Sequence, residues 1–282
     1  MSALWRFLGA ASFAITVLVV LVSALRLYRG AVRSRIPTSD KLLRPPGESL
    51  NRKLVQLDEK LLYSTILFVG GPLLLAYQTQ TVPFGQFAVA LVFVTVLCVI
   101  PVWLIASARS NYALGYLGER AVGEELNQLL REGCHIFHDY PGGSNWNIDH
   151  IIVAPSGVYA VETKTRRKRL GRKGSRDFEV VFDGKTLHFP HCSDVHGLDQ
   201  ARRNAVSLGQ QLTSATGEPV KAKAILTFPG WLVTLKGKSD VHVLNPKQIR
   251  SVVLHNNGPV LSPSQMQRII HQLDQKCRDV EL

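Results

Sequence analysis

Asn147-Ile148-Asp149-His150-Ile151-Ile152-Val153-Ala154-Pro155-Ser156-Gly157-Val158-Tyr159-Ala160-Val161-Glu162-Thr163-Lys164 is the most informative stretch of the 282-residue chain. Two runs rich in β-branched residues, Asn147 to Val153 and Val158 to Lys164, flank Ala154-Pro155-Ser156-Gly157, whose Pro and Gly suit turn positions. The pattern predicts a β-hairpin. Closed symmetrically, the turn sets Asp149 opposite Glu162 and Asn147 opposite Lys164. Side chains alternate at period two, so Asp149, Glu162 and Lys164 emerge on one face of the sheet.

Two carboxylates opposed across a strand pair repel. Their neighbours Ile148, Ile151, Ile152, Val153, Val158 and Val161 imply a sheet covered on both faces, which would bury those carboxylates in part. A divalent cation would relieve the repulsion, since Mg²⁺ is held by one or two carboxylates with water and phosphate oxygens completing its shell. An adjacent lysine would then orient the attacking water in phosphodiester hydrolysis and offset charge developing on the phosphate. The competing account is a surface edge hairpin in which Lys164 simply neutralises Glu162. The spacing alone leaves both open.

Working outward, residues 111–282 have the composition of a globular α/β domain, of a size sufficient for its own core. Leu114, Leu117, Val122, Leu126 and Leu129 recur at helical spacing within Asn111 to Arg131. Cys134 to Tyr140 is expected as a strand and Pro141 to Asn145 as a loop. Asp183-Gly184 predicts a second hairpin between Phe178 to Phe182 and Thr186 to Phe189. A helix follows over Leu198 to Thr213, then strands at Lys221 to Phe228 and Val241 to Leu244, and a closing helix over Ser264 to Cys277 that starts at Ser262-Pro263. Helices alternating with strands around a local antiparallel hairpin make a mixed α/β sandwich. His188, His191 and Cys192 lack a fourth partner in sequence, which argues against a zinc site.

Upstream the chain changes character. No charged residue lies among the 19 between Arg6 and Arg26 or the 48 between Lys60 and Arg109, which excludes a purely soluble protein. The run 8–25 is long enough to span a bilayer, and the basic residues follow it rather than precede it, unlike a signal peptide. The second block, interrupted near Pro83, divides into spans at about 61–77 and 84–106. The expectation is an all-α membrane region over 1–110 with about three spans and a basic loop at 26–60 carrying nine Lys/Arg from Arg26 onward. By the positive-inside rule, that loop and domain 111–282 are cytoplasmic, in an integral protein of a bacterial cytoplasmic membrane. Leu50 to Leu62 has an amphipathic pattern suited either to the membrane surface or to a solvated extension of the second span. Three spans free of charge offer a transporter no polar pathway. Four cysteines at positions 98, 134, 192 and 277 form neither a disulfide framework nor a zinc ribbon, in keeping with a reducing compartment.

The chain carries 33 basic and 21 acidic residues, a net charge of +12. Residues 164–176 contribute +8 of it with no acid. Arg166, Arg167, Lys168, Arg169, Arg172 and Lys173 would track a nucleic-acid backbone beside the carboxylates, with salt-sensitive affinity. A solvated loop and a patch contacting anionic lipid are the alternatives.

Gly118-Glu119 on the amphipathic helix, Asn147 to Val153, Pro155 to Tyr159 and Val161-Glu162-Thr163-Lys164 together resemble the nuclease-related domain (NERD) family of the PD-(D/E)xK restriction-endonuclease-like superfamily. The resemblance spans about Leu114 to Leu226. It implies a mixed sheet flanked by helices, Asp149 and Glu162 as ligands for Mg²⁺ or Mn²⁺, and Lys164 as the catalytic lysine. Glu119 would be the acidic residue from the first helix, and Gln200 the glutamine of a later helix, here in a flanking sequence that departs from the usual Pro-containing one. The activity implied is metal-dependent hydrolysis of DNA or RNA by a membrane-anchored enzyme. The alternative is a membrane-tethered module that binds nucleic acid or protein and keeps the fold without the chemistry.

Overall fold

The computed structural model describes Ser23 and residues 41–78, 84–143, 146–168, 177–255 and 260–280. Apart from Ser23, the expected span 8–25 lies outside the described residues, as do loop residues 26–40 and the basic residues Arg169, Arg172 and Lys173. The chain divides into two compact units; Arg52–Ala113 belongs to one, and Asp40–Asn51 with Leu114–Leu282 forms the other.

Two helices run through the first unit, α1 (Glu48–Gln78) and α2 (Phe84–Leu126). The amphipathic stretch 50–62 and the expected span 61–77 are one continuous helix rather than two elements. Likewise the expected span 84–106 and the helix at 111–131 join in α2, which passes through Pro101 and ends at Leu126. The reason is local: Ser107 to Tyr112 contains neither Gly nor Pro, so the change from apolar to polar composition is not a helix stop. A tight helical turn over Asn127–Glu132 follows and is closed by Gly133 in the left-handed conformation at φ 77°. Among the described residues one helix, Ala88–Glu132, is long and apolar enough to cross a membrane. Its side chains Val92, Phe93, Val96, Ile100 and Trp103 are exposed.

The second unit is a mixed α/β domain built on a five-stranded sheet of β2 (His135–Gly143), β3 (Trp146–Ala154), β4 (Gly157–Thr163), β8 (Ala222–Thr227) and β10 (Val241–Leu244). Its order is β10-β8-β4-β3-β2, with β10, β8 and β4 parallel and β4, β3 and β2 antiparallel. The decisive hairpin has the register expected of a symmetric turn: Ala154 faces Gly157, Ile151 faces Ala160, and His150 faces Val161. The residues Pro141 to Gly143, expected in a loop, instead extend β2 and pair with the start of β3.

Both faces of this sheet are covered, as its unbroken apolar runs require. On one, Ile151, Val153, Val158 and Ala160 pack with Leu198, Ala201, Ala205 and Leu208 of α3 (His196–Thr216) and with Ile269 and Leu273 of α5 (Pro263–Cys277). On the other, Ile152, Tyr159 and Val161 pack with Val122 and Leu126 of α2 and with Ile249 and Val253 of α4 (Pro246–Leu254). The Ser262 hydroxyl accepts from Gln265 N at 3.2 Å and so caps α5 where Ser262-Pro263 predicts its start.

A second sheet, ordered β7-β6-β5-β9, comprises β5 (Glu179–Phe182), β6 (Leu187–Phe189), β7 (Cys192–Asp194) and β9 (Leu232–Leu235). It contains the Asp183-Gly184 hairpin. Finally, β1 (Leu42–Leu43) pairs antiparallel with β11 (Arg278–Val280), which ties the residues before α1 to the end of the chain.

Candidate active site

Five side chains expected to act together come from four elements and are brought to one end of the central sheet. Asp149 lies near the start of β3 and Glu162 near the end of β4. Lys164 immediately follows β4, held there as its N–H donates to the Thr227 carbonyl at 2.9 Å. The Lys164 ammonium donates to Glu162 Oε1 and to Gln200 Oε1, each at 2.8 Å. Gln200 sits in the second turn of α3, so the glutamine named through the family resemblance does reach the lysine.

The strand pair opens where the acids lie. Backbone pairing of β3 with β4 ends at His150 and Val161, and Asp149 Oδ2 accepts from Thr163 N at 2.7 Å. Glu119 approaches from α2 because Gly118 beside it has no side chain: a Cβ there would lie 1.7 Å from Thr165 Oγ1 and 2.8 Å from Thr165 Cβ. This close contact between α2 and the segment after β4 brings Glu119 within electrostatic range of Asp149, Glu162 and Lys164.

All three acids are buried, with Glu119 and Asp149 each 6% exposed and Glu162 2%. Burial pushes the Glu119 carboxyl up to about 8, reinforced by the charges of Asp139 and Glu162 and opposed by Lys164. Asp149 is raised well above the usual range by burial and by the carboxylates of Glu162 and Glu119. Glu162 is raised by burial too, against the opposing pull of Lys164, Arg203 and the Asn204 hydrogen bond. Three carboxyls and one ammonium leave an excess of acid in a poorly solvated space, and Glu119 Oε2 has no hydrogen-bond partner.

That orphaned oxygen and the raised acids fit a cation. Among the described residues no group of three or more His, Cys, Asp or Glu side chains forms a ready metal cage. The arrangement would suit a hard ion that takes one or two carboxylates and keeps water better than a metal enclosed by protein, and Asp149 and Glu162 could supply those carboxylates.

Sequence reasoning missed two members of this site. Asn204, one helical turn after Gln200 on α3, donates to Glu162 Oε2 at 2.8 Å. Its signal was the Gln-x3-Asn spacing on the face that also carries Ala201 and Ala205. Asp139 is fully buried, with a positive φ of 50°, and its charge acts on Glu119. Its carboxylate accepts from Arg44 Nη1 at 3.0 Å, Ser49 N at 3.0 Å, Ser49 Oγ at 2.6 Å and Asn147 Nδ2. Arg44 also grips Asp279 through Nε at 2.6 Å. In the same segment Gly47 lies against Glu119: a Cβ on it would be 3.7 Å from Glu119 Oε2 and 2.7 Å from the Tyr116 ring. No local pattern predicts the contacts of Arg44 and Ser49 with Asp139, which join residues 90 or more apart.

Of the expected basic contacts, Arg166, Arg167 and Lys168 are described and lie just beyond Lys164. Arg166 pairs with Asp194. His188 is bound to Asp183 and Ser193 rather than facing His191 and Cys192 as a ligand set. His150, next to Asp149 in sequence, belongs to the other face of the sheet, where its Nδ1 meets His138 Nδ1 at 2.8 Å. Burial lowers His138 to about 4 and, with His138 adding to it, moves His150 well below its usual value, so neither is poised as a base for this site.

Residues 114–229 match the family model of the nuclease-related domain (NERD). The matched segment contains Glu119, Asp149, Glu162, Lys164 and Gln200 together with Asn204. No curated protein and no solved structure matches the chain.

Proposed function

We propose that this nuclease-related domain is a metal-dependent phosphodiesterase acting on nucleic acid, with the restriction-endonuclease-like arrangement of sheet and helices, anchored to a membrane by the apolar helices of the first unit. The observation that carries the reading is the buried cluster of Glu119, Asp149 and Glu162 beside the Lys164 ammonium. Nothing in the hydrophobic core needs such a cluster, and each acid is held at a cost in desolvation.

Asp149 and Glu162 would hold Mg²⁺ or Mn²⁺, which when bound supplies Lewis-acid activation of the phosphate and lowers the pKa of water. Asn204 fixes the Glu162 carboxylate, and Thr163 N fixes that of Asp149, so neither has to reorganise. Lys164, steadied by Gln200, would orient a water for attack on phosphorus and offset charge on the phosphoryl oxygens. Glu119 tunes the cluster's charge. Arg167 and Lys168, with Arg169, Arg172 and Lys173 beyond them in sequence, would neutralise phosphates on the strand next to the site, while Arg166 is engaged by Asp194.

One observation favours a second reading. The Lys164 ammonium is already engaged by Glu162 and Gln200, an arrangement that a binding module without chemistry would also keep. Incubating the full chain in detergent with DNA and RNA, with and without Mg²⁺ or Mn²⁺, separates the two. Cleavage should require the ion, be abolished by Asp149→Asn, and fall by roughly 10²-fold or more in Lys164→Ala while affinity is nearly unchanged. Tight binding with no cleavage under any of these ions would establish the binding module instead.

A further inference from the structure

Two residues beyond Lys164 the chain enters a cleft of about 220 Å³ on the second sheet, lined by Arg166, Arg167, Asp177, Phe189, His191 and Trp231 among others. The Arg166 guanidinium lies 4.4 Å from the centroid of the Phe189 ring, and Phe189 meets Trp231 edge to face at 5.3 Å. The Lys168 ammonium is 6.0 Å from the Phe178 ring and 5.9 Å from that of Trp231. Phe178 is 44% exposed, whereas Trp231 is 5% exposed and forms the floor. That floor is fixed, because Trp231 Nε1 donates to the Arg166 carbonyl at 3.3 Å and the Trp231 carbonyl accepts from Asn245 Nδ2 at 2.6 Å.

The Arg166 guanidinium is not a free phosphate contact in this lining. Arg166 already directs its guanidinium to Asp194, and Asp177 adds an acid to the walls. What remains on offer is flat surface: the Arg166 guanidinium plane backed by Phe189 over the Trp231 floor, the exposed Phe178 ring, and polar groups at their edges. Unpaired nucleobases are bound on such surfaces, stacked against aromatic rings or guanidinium planes and read along their edges by polar side chains. A base inside a duplex has both faces covered by its neighbours and cannot enter. Two residues of extended chain reach at most about 7 Å. A base seated here therefore belongs to a nucleotide close to the one at Lys164.

We infer that the cleft of Arg166, Phe189 and Trp231 seats an unpaired nucleobase beside the scissile phosphate, so that the domain takes single-stranded nucleic acid or unpaired positions within a duplex. The inference rests on the nucleic-acid reading of the carboxylate site and goes further in naming the strand state.

The test is binding of the full chain in detergent, with Ca²⁺ in place of Mg²⁺, to a fluorescent single strand of DNA or RNA and to its blunt duplex at one fixed salt concentration. The single strand should bind more tightly. Arg166→Lys keeps the positive charge but removes the planar group, and Phe189→Leu keeps apolar bulk but removes the ring. Each should weaken single-strand binding by about 5- to 100-fold, the scale of one lost stacking contact, while leaving duplex binding within about twofold. An abasic site moved along the single strand should weaken wild-type binding at one register, and that register should vanish in Phe189→Leu. Melting curves of the two variants confirm that they remain folded. Equal affinity for the two strand states, with both variants indistinguishable from wild type, overturns the cleft while the nucleic-acid reading stands. Absence of binding to any single strand or duplex overturns both.

Discussion

Replacing Glu119 by Gln should make the protein more stable, and increasingly so as the pH rises. In the unfolded chain a glutamate titrates near 4.3, whereas in the fold burial and the neighbouring acids push Glu119 up to about 8. Between those values the folded state keeps a proton that the unfolded state has released, so stability falls with rising pH. The contribution is fully present below about pH 4.5, is lost progressively up to about 8, and is constant beyond. Each pH unit in that window costs about 1.4 kcal/mol, or about 4–5 kcal/mol over the whole window if Glu119 titrated alone. Asp149 and Glu162 share the same space and take up part of the relief, so about 2–3 kcal/mol is the gain expected for Glu119→Gln at pH 8, against less than about 1 kcal/mol at pH 5. In a protein of this size that corresponds to roughly 4–12 °C in melting temperature. The assay is thermal unfolding of the full chain in detergent with EDTA, wild type against Glu119→Gln, at half-unit steps from pH 5 to 8. Adding Mg²⁺ should narrow the gap, since a bound cation favours the ionised carboxyl. Parallel pH profiles would refute the reasoning, because they would mean that Glu119 releases its proton equally in both states.

Arg44→Met leaves the buried Asp139 carboxylate without its cation, and should cost about 3–5 kcal/mol in unfolding free energy measured at pH 7, with partial rescue by Asp139→Asn; a loss below about 1 kcal/mol would show that Ser49 and Asn147 alone suffice. A fragment starting at Asn111 lacks Arg44, Gly47 and Ser49, and should melt well below one in which residues 40–51 are retained. Topology follows from the basic flanks of each apolar segment: alkaline phosphatase fused at residue 80 should be active in a bacterial host, and fused at 45 or 150 inactive. Activity at 150 would place the domain away from cytoplasmic nucleic acid.

The central hairpin was legible because its information is local. Alternation, a Pro-Ser-Gly turn and two unbroken apolar runs fix both the register and the burial of β3 and β4, and the structure has that register from His150–Val161 to the turn. The second hairpin, at Asp183-Gly184, and the start of α5 at Ser262 are local signals of the same kind. Helix limits were less legible where nothing stops a helix: α2 continues from its apolar part into the amphipathic part because the intervening residues favour continuation as well as any others. The short strands β7, β9 and β11 escaped notice since three or four residues carry too little periodicity to stand out, and their partners are distant in sequence.

The site divides along the same line. Asp149, Glu162 and Lys164 follow from one hairpin and its pleat, but what keeps their acids apart or together comes from elsewhere. Asn204 reaches Glu162 only because α3 crosses the sheet at that point. The carboxylate of Asp139, a residue with positive φ, is held by Arg44 and Ser49, which lie 90 or more residues upstream of it in sequence. Since Asp139 raises Glu119, and Glu119 raises Asp149, the charge state of the cluster depends on residues 44–49 as well as on the matched segment 114–229. These six residues lead into the first turn of α1, so a change in their seating against Asp139 would alter the protonation of the carboxylates without touching them. Residues 44–49 are in this sense part of the electrostatics of the carboxylate cluster.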